Sequence, residues 1–126
     1  MKVIIAGSRS IKYGWMVSLA IKQARQQGID PTEVVSGGAK GADTLGEQWA
    51  ARHELPCRVM PAAWDNHGKS AGMIRNREMS EYADALIAVW DGNSHGTEHI
   101  IDLMHKANKP VFVLRADRDI TYDPRR

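Results

Sequence analysis

Val34-Val35-Ser36-Gly37-Gly38-Ala39-Lys40-Gly41-Ala42-Asp43 is the stretch whose reading decides the fold: it joins a short apolar run to a helical pattern through three glycines. Gly37, Gly38 and Gly41 carry no Cβ, so the main chain there can take positive φ and approach a ligand closely. The N–H groups that open the following helix have no carbonyl to bond within it. Two readings stand side by side: a tight strand-to-helix turn, or a phosphate-binding loop.

Working outward, Met1-Lys2-Val3-Ile4-Ile5-Ala6-Gly7 is a buried strand running into a glycine, and its apolar run is too short for a signal peptide. Met16, Leu19, Ala20 and Ala24 then recur at helical spacing until Gly28 and Pro31 stop the helix. Residues 33–35 read as the second strand. On the far side of the glycine loop, Ala42, Leu45, Gly46, Trp49, Ala50 and His53 share a helix face, and Pro56 announces a third strand at 57–60. A less regular segment, 61–70, leads to a helix at 71–83. Residues 85–90 are apolar throughout, as a central parallel strand should be. The turn 91–97 opens a helix with Ile100, Ile101, Met104 and Ala107 inward, and a fifth strand is expected at 111–114.

Strict alternation of strands and helices implies right-handed crossovers and a parallel sheet covered on both faces. The expected class is therefore α/β: a Rossmann-like three-layer sandwich of about five strands in the order 3-2-1-4-5. With 126 residues, one domain is expected, residues 1–114, followed by a polar C-terminal tail, 115–126. Ligands of such sheets sit beyond the carboxyl ends of the strands, where strand order reverses. Four polar, glycine-bearing loops fall at those ends: 7–10, 37–43, 64–72 and 91–97.

Composition narrows the partners. A net charge of +2, with 17 basic residues interspersed among 15 acidic ones, gives no sign of a basic face, so nucleic acid and membrane are not expected partners. The single Cys57 excludes an internal disulfide and fits a cytoplasmic location; inside an apolar run it reads as a buried, inert thiol. Neither a G-x-G-x-x-G after the first strand nor a Walker A sequence is present. Arg9, Lys40 and Arg75 are cations beside the glycine loops, placed either to hold phosphate or to face solvent. Asp43 and Asp91 read as holders of ribose hydroxyls or loop backbone. Ser94 and Thr97 either cap the fourth helix or contact phosphate. Trp64 and Trp90 offer faces for a base, with Trp90 at the end of a buried strand. His95, His99 and Asp91 lack the partners that complete a metal site, so no metal is expected, nor any cofactor.

Gly7-Ser8-Arg9, Gly37-Gly38-Ala39-Lys40-Gly41-Ala42-Asp43, Trp64, Ala71-Gly72, Arg75-Asn76, Met79, Ala83-Asp84, Trp90-Asp91-Gly92, Ser94, Gly96-Thr97 and Lys109-Pro110-Val111 together resemble the YspA-like, cpYpsA-related branch of the SLOG superfamily. The resemblance spans residues 3–113 and implies a Rossmann-like fold. It joins the chain to Smf/DprA DNA-processing proteins and to LOG phosphoribohydrolases, which release a free base from nucleoside monophosphates. Arg75, Met79 and Ala83-Asp84 are similar to the LOG third helix, and Gly96-Thr97 matches the Gly-Thr of the LOG Pro-Gly-Gly-x-Gly-Thr-x-x-Glu loop. The position of the LOG glutamate is Ile100, and Asn93-Ser94-His95 replaces Pro-Gly-Gly. Glu98 stands one residue after Thr97, on another face of the helix start.

The resemblance implies binding or sensing of a nucleotide or nucleotide-derived ligand. The alternative is N-glycosidic hydrolysis of a nucleoside monophosphate, with Arg75, Glu98 and Asp91 as the catalytic candidates; a DNA-binding protein ranks third. The expected ligand-binding set is Gly7, Ser8, Arg9, Gly37, Gly38, Lys40, Gly41, Asp43, Trp64, Asn76, Ser94, Gly96 and Thr97. Similarity to LOG enzymes also implies a homodimer, for which Trp15 or Met73 would mark the patch.

Overall fold

Aliphatic and β-branched runs bounded by glycine and proline form strands, and when both faces are to be covered the runs are apolar without alternation. The computed structural model of the protein describes residues 1–118. Its strands are β1 (Lys2–Gly7), β2 (Glu33–Ser36), β3 (Cys57–Val59), β4 (Ala85–Trp90) and β5 (Val111–Arg115), all parallel in one sheet ordered β3-β2-β1-β4-β5. Four longer helices, α1 (Gly14–Gln26), α2 (Ala42–Arg52), α4 (Ala71–Tyr82) and α5 (His95–Lys106), supply the outer layers, with a single turn α3 (Trp64–His67) before α4.

Alternate residues of the central strands feed two cores. Val3, Ile5, Val34, Ile87 and Val89 pack with Val17, Ala20, Ile21 and Ala24 of α1 and with Trp49 and Ala50 of α2. Ile4, Ala6, Val35, Leu86 and Ala88 pack on the other face with Met79 of α4 and Ile100, Ile101 and Met104 of α5. This is the expected three-layer sandwich and strand order. Gly7 pairs with Val89, so the chains leave β1 and β4 side by side at the point where strand order reverses. The Ser8 N–H donates to Val89 O at 3.0 Å, and the Asp91 N–H to Ser8 Oγ at 2.9 Å.

Several local expectations are corrected. Cys57 is exposed, because β3 is an edge strand and all three of its residues are exposed. Partial burial, then Glu47 and Glu33, push its thiol above the usual range. The buried stripe of α1 is Val17, Ala20, Ile21 and Ala24, with Met16 and Leu19 flanking it. His53 lies past the end of α2, its ring stacked on Trp49 at 4.1 Å, and Ala107 is the exposed cap of α5. Trp15 is half-buried. β5 runs to Arg115, which pairs with Asp117 at 2.7 Å; of the expected tail, 119–126 lies outside the described residues. Among the described residues no helix is long and apolar enough to cross a membrane.

Candidate functional site

The carboxyl ends of β1 and β4, the start of α5 and one side of α4 enclose a crevice of about 680 Å³. Buried Ala6, Met79 and Ile100 form its floor, and Trp64 and Met73, 51% and 53% exposed, stand on its rim.

The glycine loop backs this crevice. Gly41 has φ +81°, and a Cβ there would come within 2.4 Å of Ser8 O, so the loops after β1 and β2 lie in direct contact. At Gly37 a Cβ would stand 2.5 Å from Arg75 Nη1 and 2.8 Å from Asp43 Oδ2; its absence leaves room for that pair. Three donors of the loop are engaged within the chain. Gly38 N–H donates to Ser36 Oγ (3.1 Å), Ala39 N–H to Asp43 Oδ2 (3.3 Å) and Ala42 N–H to Ser8 O (3.3 Å). One of the loop's N–H groups, that of Ala39, thus meets a carboxylate of the chain itself. Burial raises the Asp43 carboxyl to about 6, opposed by the Ala39 N–H, the Arg75 guanidinium and the Gly7 N–H.

Helix α4 ties two walls together. Arg75 Nη1 donates to Gly37 O, and Arg75 Nε donates to Asn76 Oδ1 at 3.0 Å. The buried Asn76 amide donates to Gly96 O and to His99 Nδ1, each at 3.1 Å. An amide nitrogen is only a donor, so His99 carries its proton on Nε2. Burial, then Arg77, hold the His99 ring below its usual range.

Asp91 organises the wall beyond β4. Its Oδ1 accepts from Asn93 N–H (2.8 Å) and Ser94 N–H (2.9 Å), and its Oδ2 from Ser10 Oγ (3.0 Å). The two backbone bonds lead in pulling its carboxyl down to about 2. Ser94 caps α5, accepting from Thr97 N–H at 3.4 Å and Thr97 Oγ1 at 3.0 Å, while Trp90 Nε1 donates to Ser94 O at 3.0 Å. The N–H groups of His95 and Gly96, in the first turn of α5, have no carbonyl partner within the helix.

Of the residues singled out from the sequence, Gly7, Arg9, Asp43, Trp64, Arg75, Asn76, Asp91, Ser94, Gly96 and Thr97 line the crevice. Ser8, Gly37, Gly38, Lys40, Gly41 and Glu98 do not; Ser8 is buried beneath it, and Lys40 and Glu98 are exposed. Ile100, at the position of the LOG glutamate, is 1% exposed on the floor. Ser10, Ala39, Gly72, Met73, His95 and His99 complete the lining. Of these, the two histidines were weighed only as metal ligands; among the described residues no His, Cys, Asp and Glu cluster could hold an ion. The sequence singled out Met73 only as the mark of a dimer patch and Ala39 only within the glycine-loop motif.

The sequence matches the family described as YspA, cpYpsA-related SLOG family over residues 1–67. It is 37% identical over 117 residues to the Gene 61 protein of Mycobacterium phage D29, covering 88% of this chain and 94% of that protein. A solved structure of DNA processing protein A from Helicobacter pylori, described for its single-stranded DNA binding mode, aligns with a TM-score of 0.67 at 23% identity, covering 93% of this chain and 67% of that one. At that identity the likeness is one of fold. It nevertheless overturns the reading of a nucleotide-sensing module with nucleic acid as an unexpected partner. Charges interspersed along the sequence argue only against a broad basic face. A single strand needs no broad basic face; it is held by a few cations and by stacking. The chain belongs to the YspA, cpYpsA-related SLOG family.

Proposed function

We propose that the crevice of this SLOG-family chain binds single-stranded DNA, with a base against Trp64 and a phosphodiester at the start of α5. The observation that carries this is the pairing of a half-exposed indole with the exposed guanidinium of Arg9 on one crevice. Stacking on an aromatic face tolerates any base, and arginine meets phosphate with a planar fork of donors. The N–H groups of His95 and Gly96, which have no carbonyl partner within the helix, add donors and the positive end of the helix dipole. A Cβ at Gly96 would meet nothing within 4 Å, so space remains for a ligand there. The glycine loop braces this arrangement by holding Arg75 and Asp43. The DNA binding described for the protein of similar fold supports the same reading.

Glycosidic hydrolysis would require a carboxylate free to stabilise positive charge on the ribose. The carboxylates on the crevice, Asp43 and Asp91, accept backbone hydrogen bonds, and Ile100 supplies none.

The test is a fluorescence anisotropy titration of a labelled oligodeoxythymidylate. Trp64→Ala should weaken binding by about five- to a hundredfold, and Arg9→Ala should flatten the dependence of log affinity on log salt by about 0.7. Absence of binding by the unaltered protein, or a Trp64→Ala protein that binds as well, overturns the reading.

A further inference from the structure

A second depression, of about 250 Å³, adjoins the crevice, and Ser10 and Asp91 line both. The bond from Ser10 Oγ to Asp91 Oδ2, 3.0 Å long, forms the saddle between them. We infer that this depression is a second nucleotide subsite, so that a DNA strand seated in the crevice crosses the saddle and continues over Lys12 and Tyr13. The inference rests on the reading of the crevice as a single-stranded DNA site.

The two compartments repeat one composition. The crevice has an exposed aromatic, Trp64, and an exposed cation, Arg9; the depression has Tyr13, 38% exposed, and the exposed Lys12. Arg9 and Lys12 stand three residues apart on the loop that leaves β1, one on each side of the saddle. Beneath Tyr13 the depression is apolar, with Ile11, Met16 and Ala116. An apolar base with an aromatic rim suits the face of a nucleobase, and the lysine suits the phosphate that links it to its neighbour.

Two carboxylates stand nearby: Asp117 is paired with a cation, and Asp91 keeps its charge, with hydrogen bonds from neutral donors occupying both of its oxygens. Asp117 is bound by Arg115 through Nε at 2.9 Å and Nη2 at 2.7 Å. Asp91 has both oxygens engaged by Asn93, Ser94 and Ser10. The smaller volume fits a single base, which makes the depression an extension of the track.

Oligodeoxythymidylates of increasing length test this on the full chain by anisotropy. Lys12→Ala, an exposed position that leaves the fold intact, and Tyr13→Leu should each weaken long oligomers by about fivefold or more while leaving the shortest that binds unchanged. Trp64→Ala should weaken every length. For long oligomers alone, Lys12→Ala should also reduce the salt slope by about 0.7. If Lys12→Ala and Tyr13→Leu match the unaltered protein at all lengths while Trp64→Ala does not, the crevice reading stands and the second subsite falls. Equal weakening at every length by Lys12→Ala overturns it too, since the lysine then acts on the crevice itself. If no oligomer binds, the reading beneath it falls as well.

Discussion

Replacing Asp43 by Asn should remove a pH dependence of stability that runs opposite to that of most carboxylates. Asp43 is 5% exposed, and burial raises its carboxyl from 3.8 to about 6 despite the Ala39 N–H, Arg75 and the Gly7 N–H, which favour the charged form. Its folded value therefore lies above its unfolded one, and between the two the native state binds the proton more tightly. The stabilisation is complete below 3.8 and is lost as pH rises through about 6. The difference between the two values corresponds to about 3 kcal/mol. Asn keeps the shape and one oxygen for the Ala39 N–H but has no proton to lose. Urea unfolding of both proteins from about pH 4 to about pH 8 isolates the effect. The stability of the unaltered protein minus that of Asp43→Asn should fall by about 3 kcal/mol across that range. His99, held below its usual range, pushes the other way, since its contribution is present above the unfolded value and lost as pH falls; it is common to both proteins and cancels. A flat difference would refute the dominance of burial. A difference that grows with pH would mean that Arg75 and the loop amides outweigh it.

Three further outcomes follow from single contacts. A Cβ at Gly7 would lie 2.0 Å from Val89 O, a backbone atom of the sheet, whereas one at Gly96 meets nothing within 4 Å. Gly7→Ala should therefore cost about 4 kcal/mol or abolish folding, and Gly96→Ala should melt like the parent while binding DNA less well; equal melting temperatures for the two variants contradict this. Lys109 Nζ donates to Ser80 O and Ala83 O at 2.7 Å and to Glu81 O at 3.3 Å, closing the end of α4. Lys109→Met should cost about 2 kcal/mol in urea unfolding, and Lys109→Arg less. The raised thiol of Cys57 should make its alkylation rate level off at a higher pH than that of free cysteine, despite its exposure.

The layers and the sheet order were legible because each central strand is an unbroken apolar run and each crossover has one favoured hand. The exposure of Cys57 was not read, although the expected order already puts the third strand at an edge; its reading as buried rested on the run 57–60 alone. Nor was the inward stripe of α1 legible, since Met16 and Leu19 recur at helical spacing as well as Val17 and Ile21 do. At the site, glycine spacing marked the loops that meet. It could not say which of their donors are free, because that depends on Asp43 reaching back four residues to Ala39 and on Ser36 turning under Gly38. The reading of charge tested only for a broad basic face, which a single strand does not need.

The hydrogen bonds of the crevice run from wall to wall. Ser8 joins the loop after β1 to Asp91, Arg75 joins α4 to the glycine loop, Asn76 joins α4 to Gly96 and His99, and Trp90 holds Ser94 at the head of α5. Each of these side chains is held by partners on two elements, so these walls lose little further freedom when a ligand enters, and side-chain ordering is one of the costs that weakens association. The same arrangement explains where the chemistry went. Asp91 and Asp43, the carboxylates nearest the ligand space, hold loop amides in place, and the position from which a related enzyme would present a glutamate is closed by Ile100 packed between Met79 and the sheet. Acids engaged with loop backbone fix the shape of a site, and other groups on the crevice, an indole, a guanidinium and the amides of a helix start, are the ones proposed above to hold a single strand.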